Sequence, residues 1–174
     1  MIGTWRISDY NAVLVAGYLV PAWVMSVLQI VESPIRGLYD RSNIAFGVFF
    51  SDEMQLAALG MARAAWGLAV VRLTVAAFVL VFLLQIASKR RRLAGAGDEP
   101  LAIALTLGGL FSFAGMMLAA RAGEGAAMQL HATESLLLLG AAILVLAEPW
   151  MRPAPVRADA AQPAATAPAD PVHA

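Results

Sequence analysis

The chain has 174 residues, of which 60% are hydrophobic and 14% charged; its formal net charge is zero and its mean hydropathy is +0.72. A soluble domain averages ~45–50% apolar and ~25% charged residues, so a globule this small cannot hide the excess and lipid must cover it. Zero net charge without a basic stripe argues against nucleic acid as a partner, and the lack of cysteine removes disulfides, thiolate catalysis and Cys-type zinc or iron–sulfur sites.

The sequence predicts an all-α fold, an integral membrane four-helix bundle with an Ala/Pro-rich C-terminal tail. Residues 1–9 form a short N-terminal segment that carries Arg6 and Asp9. The first spanning helix is predicted over residues 10–31. Its apolar run exceeds the ~7–15 residues of a signal-peptide core, and no small-x-small cleavage site follows it. Pro21 lies mid-span and removes one helix hydrogen bond. Residues 32–53, ESPIRGLYDRSNIAFGVFFSDE, are interrupted by Pro34, Gly37, Asn43 and Gly47, which argues against a long regular helix. The plainer reading is a loop on the membrane interface, where its aromatics settle. A lid over an embedded site is the sharper one.

The second span is predicted over residues 54–88 and ends on Lys89, Arg90, Arg91 and Arg92. Such a cluster directly after a span marks the cytoplasmic side. The third span covers residues 101–120 and the fourth 126–147. Each run reaches the ~20 residues that cross a hydrocarbon core of ~30 Å. From residue 148 to 174 the chain turns to Ala and Pro with scattered charge, and no apolar period continues. A segment of that kind cannot offset its ordering entropy and is expected to be disordered.

With the N-terminus inside, the inner side collects Arg6, Lys89 to Arg92, Arg152 and Arg157. The outer side keeps Arg36, Arg41 and Arg121, with Arg63 near that surface. The asymmetry places both termini in the cytoplasm. Lys89 is the lone lysine among twelve cations, and Ala is abundant. That usage reads as a GC-rich bacterial genome, and the expected location is the bacterial inner membrane.

The residues that could carry chemistry are the polar ones inside spans. Such groups are expensive in lipid and usually face protein. At ~1.5 Å per residue from the cytoplasmic ends, Ser26, Arg72 and His131 lie ~24 Å up and Glu134 ~20 Å up. These four groups on three helices form one candidate polar layer. His131 and Glu134, three apart, share a helix face. Arg63 and Arg72, nine apart, point to opposite faces. Glu134 is the one carboxylate at the depth of Arg72, so an Arg72–Glu134 pair is expected. It reads as a packing ion pair, as a substrate or proton site, or as two side chains snorkelling separately. His131 is the one membrane-placed histidine, which excludes a bis-His haem within one chain. His-x-x-Glu resembles half of a carboxylate-bridged metal motif, but the other half is missing. No catalytic residue, metal or cofactor is assigned. Small residues at Gly108, Ser112, Gly115 and Ala119, and at Gly60, Ala64 and Gly67 with Val71, mark expected helix contacts. Trp66 and Trp150 look like interfacial anchors, and Trp23 does not.

Phe46-Gly47 precedes the second helix, and Arg63-x-x-Trp66-Gly67-Leu68 opens it. Gly108-Gly109 marks the third, and an Ala-rich fourth carries His131. This order resembles small four-helix bacterial membrane proteins of the DoxX-like kind, over roughly residues 44 to 147. The resemblance implies a four-helix bundle and no established activity. The first expectation is thus a non-enzymatic membrane protein, an accessory or assembly subunit. Its partners would be the bilayer and other membrane proteins or a second copy. The alternatives are an embedded enzyme on a lipid or isoprenoid, with Glu134 and His131 as acid and base and Arg72 holding an anion, and a small transporter.

Overall fold

The computed structural model describes residues 5–151. Four long apolar helices dominate it: α1 (Ile7–Glu32), α4 (Ala58–Ala87), α6 (Asp98–Ala122) and α7 (Gly125–Met151). All four are long and apolar enough to cross a membrane. Short elements link them: α2 (Pro34–Leu38), α3 (Ile44–Val48), a π-helical turn (Phe49–Glu53) and α5 (Lys89–Leu93). No strand occurs among the described residues. Helices suit this composition because every backbone donor and acceptor is satisfied within the element, as lipid demands. Apolar residues cover both the packed and the outward faces, since neighbour helices and lipid are equally apolar surroundings.

Helix α1 packs on α4 and α7, and α6 packs on the same two helices. The four form a closed ring in the order α1, α4, α6, α7. In it α4 and α7 stand diagonally, as do α1 and α6. The core includes Leu19, Trp23, Ile30, Val75, Phe82, Phe111 and Leu138. Leu14, Leu84, Leu110, Leu136 and Leu146 point outward. The stripe Gly108, Ser112, Gly115 and Ala119 is buried in the ring. The second stripe corrects the sequence reading: Gly67 and Val71 are exposed, and α4 instead buries Met61, Ala65, Leu68, Ala69, Arg72 and Val75. Its interior face carries Arg72 together with the small residues Ala65 and Ala69.

Helix boundaries shift by one to four residues; α6, for one, starts at Asp98, three residues before the expected run. Helix α1 starts three residues before the expected apolar run, capped by the Asp9 carboxylate accepting from Arg6 N–H at 3.2 Å. Helix α4 starts at Ala58, four residues later than expected, after Gln55 turns the chain at φ 50°. Helix α7 runs through Pro149 to Met151, so residues 148–151 close the helix and do not begin the tail. The tail from residue 152 onward lies outside the described residues.

The segment 32–53 is a folded cap, not a surface loop. Gly37, Leu38, Asn43, Ala45, Phe46 and Gly47 are all buried. Helix α2 packs on α1 and α4, and α3 packs on α6. Gly37 makes this possible: a Cβ there would sit 2.8 Å from the backbone N and Cα of Ile30. Backbone cannot rotate away as a side chain can. Gly37→Ala is therefore expected to lower stability by roughly 1–3 kcal/mol, the usual cost of overpacking. Thermal unfolding in detergent measures it, with Gly109→Ala as the control, because nothing lies within 4 Å of a Cβ at Gly109.

At the opposite end, Arg6 donates to both oxygens of Asp98 at 2.7 and 2.8 Å. Ser8 donates to Glu148 through its backbone N–H and its hydroxyl. Arg92 donates to the Ile86 carbonyl at 2.7 Å and stacks 4.5 Å over the Trp5 ring. These contacts tie the start of α1 to α5, the start of α6 and the end of α7. The Arg6–Asp98 pair is partly exposed, so its contribution is small, ~0–1 kcal/mol.

Candidate functional site: a buried polar layer

The four polar residues singled out from depth all turn inward: Ser26, Arg72, His131 and Glu134 are buried, Arg72 at 1% exposure. Arg63 is exposed, on the other side of α4. The layer divides into two halves with Trp23 between them.

One half surrounds Arg72. Its Nη1 donates to Ser26 Oγ, and its Nη2 donates to the Ser42 carbonyl at 2.9 Å. The guanidinium carbon lies 5.1 Å from the centre of the Phe111 ring and 5.9 Å from that of Trp23, within cation–π range. Asn43 Nδ2 donates to Ser26 Oγ at 3.0 Å and to the Gly37 carbonyl at 2.8 Å. A hydroxyl has two acceptor sites and one proton. Arg72 and Asn43 fill the acceptor sites of Ser26, so its proton goes to Ser42 Oγ, 2.9 Å away. Ser42 in turn donates to Asp40 Oδ2 at 3.2 Å. A directed chain of hydroxyls thus joins the buried cation to a carboxylate in the cap.

The other half surrounds Glu134. Oε1 accepts from Trp23 Nε1 at 2.9 Å. Oε2 accepts from Ser112 Oγ at 3.0 Å and from His131 Nδ1 at 3.0 Å. A carboxylate accepts only, so Nδ1 carries the proton of that last bond. The His131 ring lies against Gly115, where a Cβ would stand 2.7 Å from Nε2. Phe46 of the cap meets the same ring edge-on at 6.1 Å and stacks on Phe111 at 5.1 Å. Among the described residues, His131 Nε2, Arg72 Nε and Asn43 Oδ1 have no hydrogen-bond partner.

The expected direct Arg72–Glu134 ion pair is absent. Arg72 spends its donors on Ser26 and Ser42, and Glu134 accepts from Trp23, Ser112 and His131. The ring order explains this. Equal depth placed the two residues on one level, but α4 and α7 stand diagonally. Trp23 of α1 and Phe111 of α6 fill the space between. The indole serves both sides, its N–H toward the carboxylate and its face toward the guanidinium.

Sequence reasoning missed Trp23, Ser112, Ser42, Asn43 and Asp40. Trp23 had a signal, since it lies three residues before Ser26 on the same helix face. Ser112 was visible as a small contact residue. The three cap residues had none, because their segment carries no helical period long enough to give depth. Among the described residues no group of three or more His, Asp or Glu could hold a metal ion. Two grooves of about 260 and 520 Å³ flank the cap, and neither is lined by Arg72, Glu134 or His131.

No protein-family model, curated protein or solved structure matches this chain.

Two substitutions test the layer. Glu134→Ala orphans three buried donors from three helices and is expected to cost on the order of 3–5 kcal/mol. Trp23→Phe removes one bond to a charged group and is expected to cost about 1.5–3 kcal/mol. Thermal unfolding of both variants and of the double mutant in detergent gives the values. The double mutant should cost less than the sum, because the Trp23 donor cannot be orphaned twice.

Proposed function

We propose that this chain is a small multi-pass protein of the bacterial inner membrane, of the DoxX-like kind, acting as a non-enzymatic accessory or assembly subunit of a larger membrane complex. The observation that carries this reading is that the Glu134 carboxylate and both terminal nitrogens of Arg72 are already engaged by protein partners. A general acid or base has to come within hydrogen-bond reach of its substrate. Glu134 already accepts three hydrogen bonds, and Arg72 is held by Ser26, Ser42 and two rings. Groups used in this way set helix register, which is the best-attested use of buried polar residues. Beyond lipid, the outward leucines of all four long helices offer a surface for partner helices or a second copy of the chain. The cluster Lys89 to Arg92 supports an orientation with both termini in the cytoplasm.

One observation favours a second reading. His131 Nε2 is buried without a partner among the described residues, and the Phe46 ring of the cap stands edge-on to the same imidazole. If the cap lifted, the imidazole would lose the ring that covers it, and Nε2 is its nitrogen free to act as a general base. That is the form an embedded lipid or isoprenoid enzyme would take.

Purification in mild detergent with mass spectrometry of co-eluting proteins separates the two. The accessory reading expects stoichiometric co-elution of at least one other membrane protein, unchanged in His131→Gln. A chain that purifies alone, with a bound lipid whose turnover stops in His131→Gln, would favour the enzyme. Topology is checked with reporter fusions. A fusion at Gly95 should report cytoplasm and one at Ser42 the opposite side; the reverse pattern contradicts the orientation.

A further inference from the structure

A groove of about 260 Å³ lies between the π-helical turn and the last turn of α6, at the end of the molecule opposite Lys89 to Arg92. Its lining separates by polarity. Val48, Phe49 and Leu118 are partly buried and form an apolar wall, whereas Asp52, Glu53 and Arg121 are exposed. Arg121 sits in the last turn of a helix long and apolar enough to span a membrane, so the charges fall where hydrocarbon gives way to headgroups.

The charges select the ligand. Arg121 Nη2 binds Glu53 Oε1 at 2.8 Å. A guanidinium has five N–H donors, so others stay available for an anion. Asp52 Oδ1 accepts from Ser51 at 2.7 Å, and a carboxylate has further acceptor sites. A ligand carrying only negative charge would meet two carboxylates for one arginine. A bare cation would gain nothing from Arg121. A headgroup with a phosphate and a primary ammonium a few bonds apart answers both. The volume is just under the ~300–1,000 Å³ typical of pockets that enclose a whole drug-sized ligand. It suits a headgroup whose acyl chains stay in the bilayer along Val48, Phe49 and Leu118.

We propose that this groove is a headgroup site for an aminophospholipid of the phosphatidylethanolamine class. Arg121 takes the phosphate, and Asp52 and Glu53 accept from the ammonium. The proposal rests on the chain being a membrane protein, which carbonate extraction of membranes tests separately. Release of the chain into the soluble fraction would overturn that reading rather than the lipid choice.

The site is tested in nanodiscs holding equal parts of phosphatidylethanolamine, phosphatidylcholine and phosphatidylglycerol with identical acyl chains. Mild detergent extraction and native mass spectrometry then read the retained lipid. The wild type should retain phosphatidylethanolamine with about a tenfold preference, the size of one charge-assisted hydrogen bond. Phosphatidylcholine cannot donate from its methylated nitrogen, and phosphatidylglycerol has no nitrogen. Arg121→Gln should lower retention of all three lipids. Asp52→Asn, which leaves the Arg121–Glu53 pair intact, should lower the preference over phosphatidylcholine several-fold while circular dichroism shows unchanged helicity. Equal retention of the three lipids by the wild type, or an undiminished preference in Asp52→Asn, would overturn the proposal.

Discussion

The cap end of this structure is organised around one buried guanidinium. Arg72 lies on a thirty-residue apolar helix and is sealed from both lipid and water. An unpaired cation at mid-span costs about 2.5–3.5 kcal/mol even on the mild insertion scale. Snorkelling would relieve that cost, but here the side chain turns inward and finds oxygen partners and ring faces. Arg72 thus lies on the inner face of α4. It draws Ser26 and Trp23 of α1 to one side and Phe111 of α6 to the other. Its second terminal nitrogen donates to the Ser42 carbonyl, which ties the segment after α1 down over the ring.

Glu134 plays the complementary part on the diagonal helix. Its three donors come from α1, α6 and α7, so its carboxylate reads the positions of three helices at once. Trp23 links the halves without letting them touch. The opposite end of the molecule is held differently, by the partly exposed Arg6–Asp98 pair and by Arg92 on Trp5. Screened contacts of that sort orient the chain ends but stabilise little. Specificity of packing therefore resides in the buried layer.

Much of this was legible in the sequence. Runs of apolar residues with Gly and Pro between them located all four long helices, because length and hydropathy alone decide that question in lipid. Counting rise per residue put Ser26, Arg72, His131 and Glu134 on one level. Depth, however, says nothing of azimuth. Whether Arg72 meets Glu134 depends on which helices are neighbours and which diagonal, and that is set by long-range packing. The cap was the other blind spot. Its short elements carry too few residues for a period, and Gly37 and Gly47 looked like breakers. In the structure Gly37 is a contact point where backbone meets backbone. Trp23 was rightly set apart from the interfacial anchors, but a tryptophan inside a span reads as bulk, not as a donor to a carboxylate.

The central claim is that the cap is docked on the layer, with Ser42 closing over Ser26 and Arg72. The chain has no cysteine, so introduced thiols have no competitors. The two hydroxyl oxygens lie 2.9 Å apart, close enough for sulfurs in their place to bond after small shifts. The most direct test is Ser26→Cys with Ser42→Cys in native membranes, read by gel mobility with and without reductant and by labelling with a water-soluble maleimide. A docked cap gives an intramolecular disulfide on mild oxidation, with each single-cysteine chain poorly labelled. A pair that stays reduced while both thiols label freely would mean that the cap stands open, and the sealed layer would have to be abandoned.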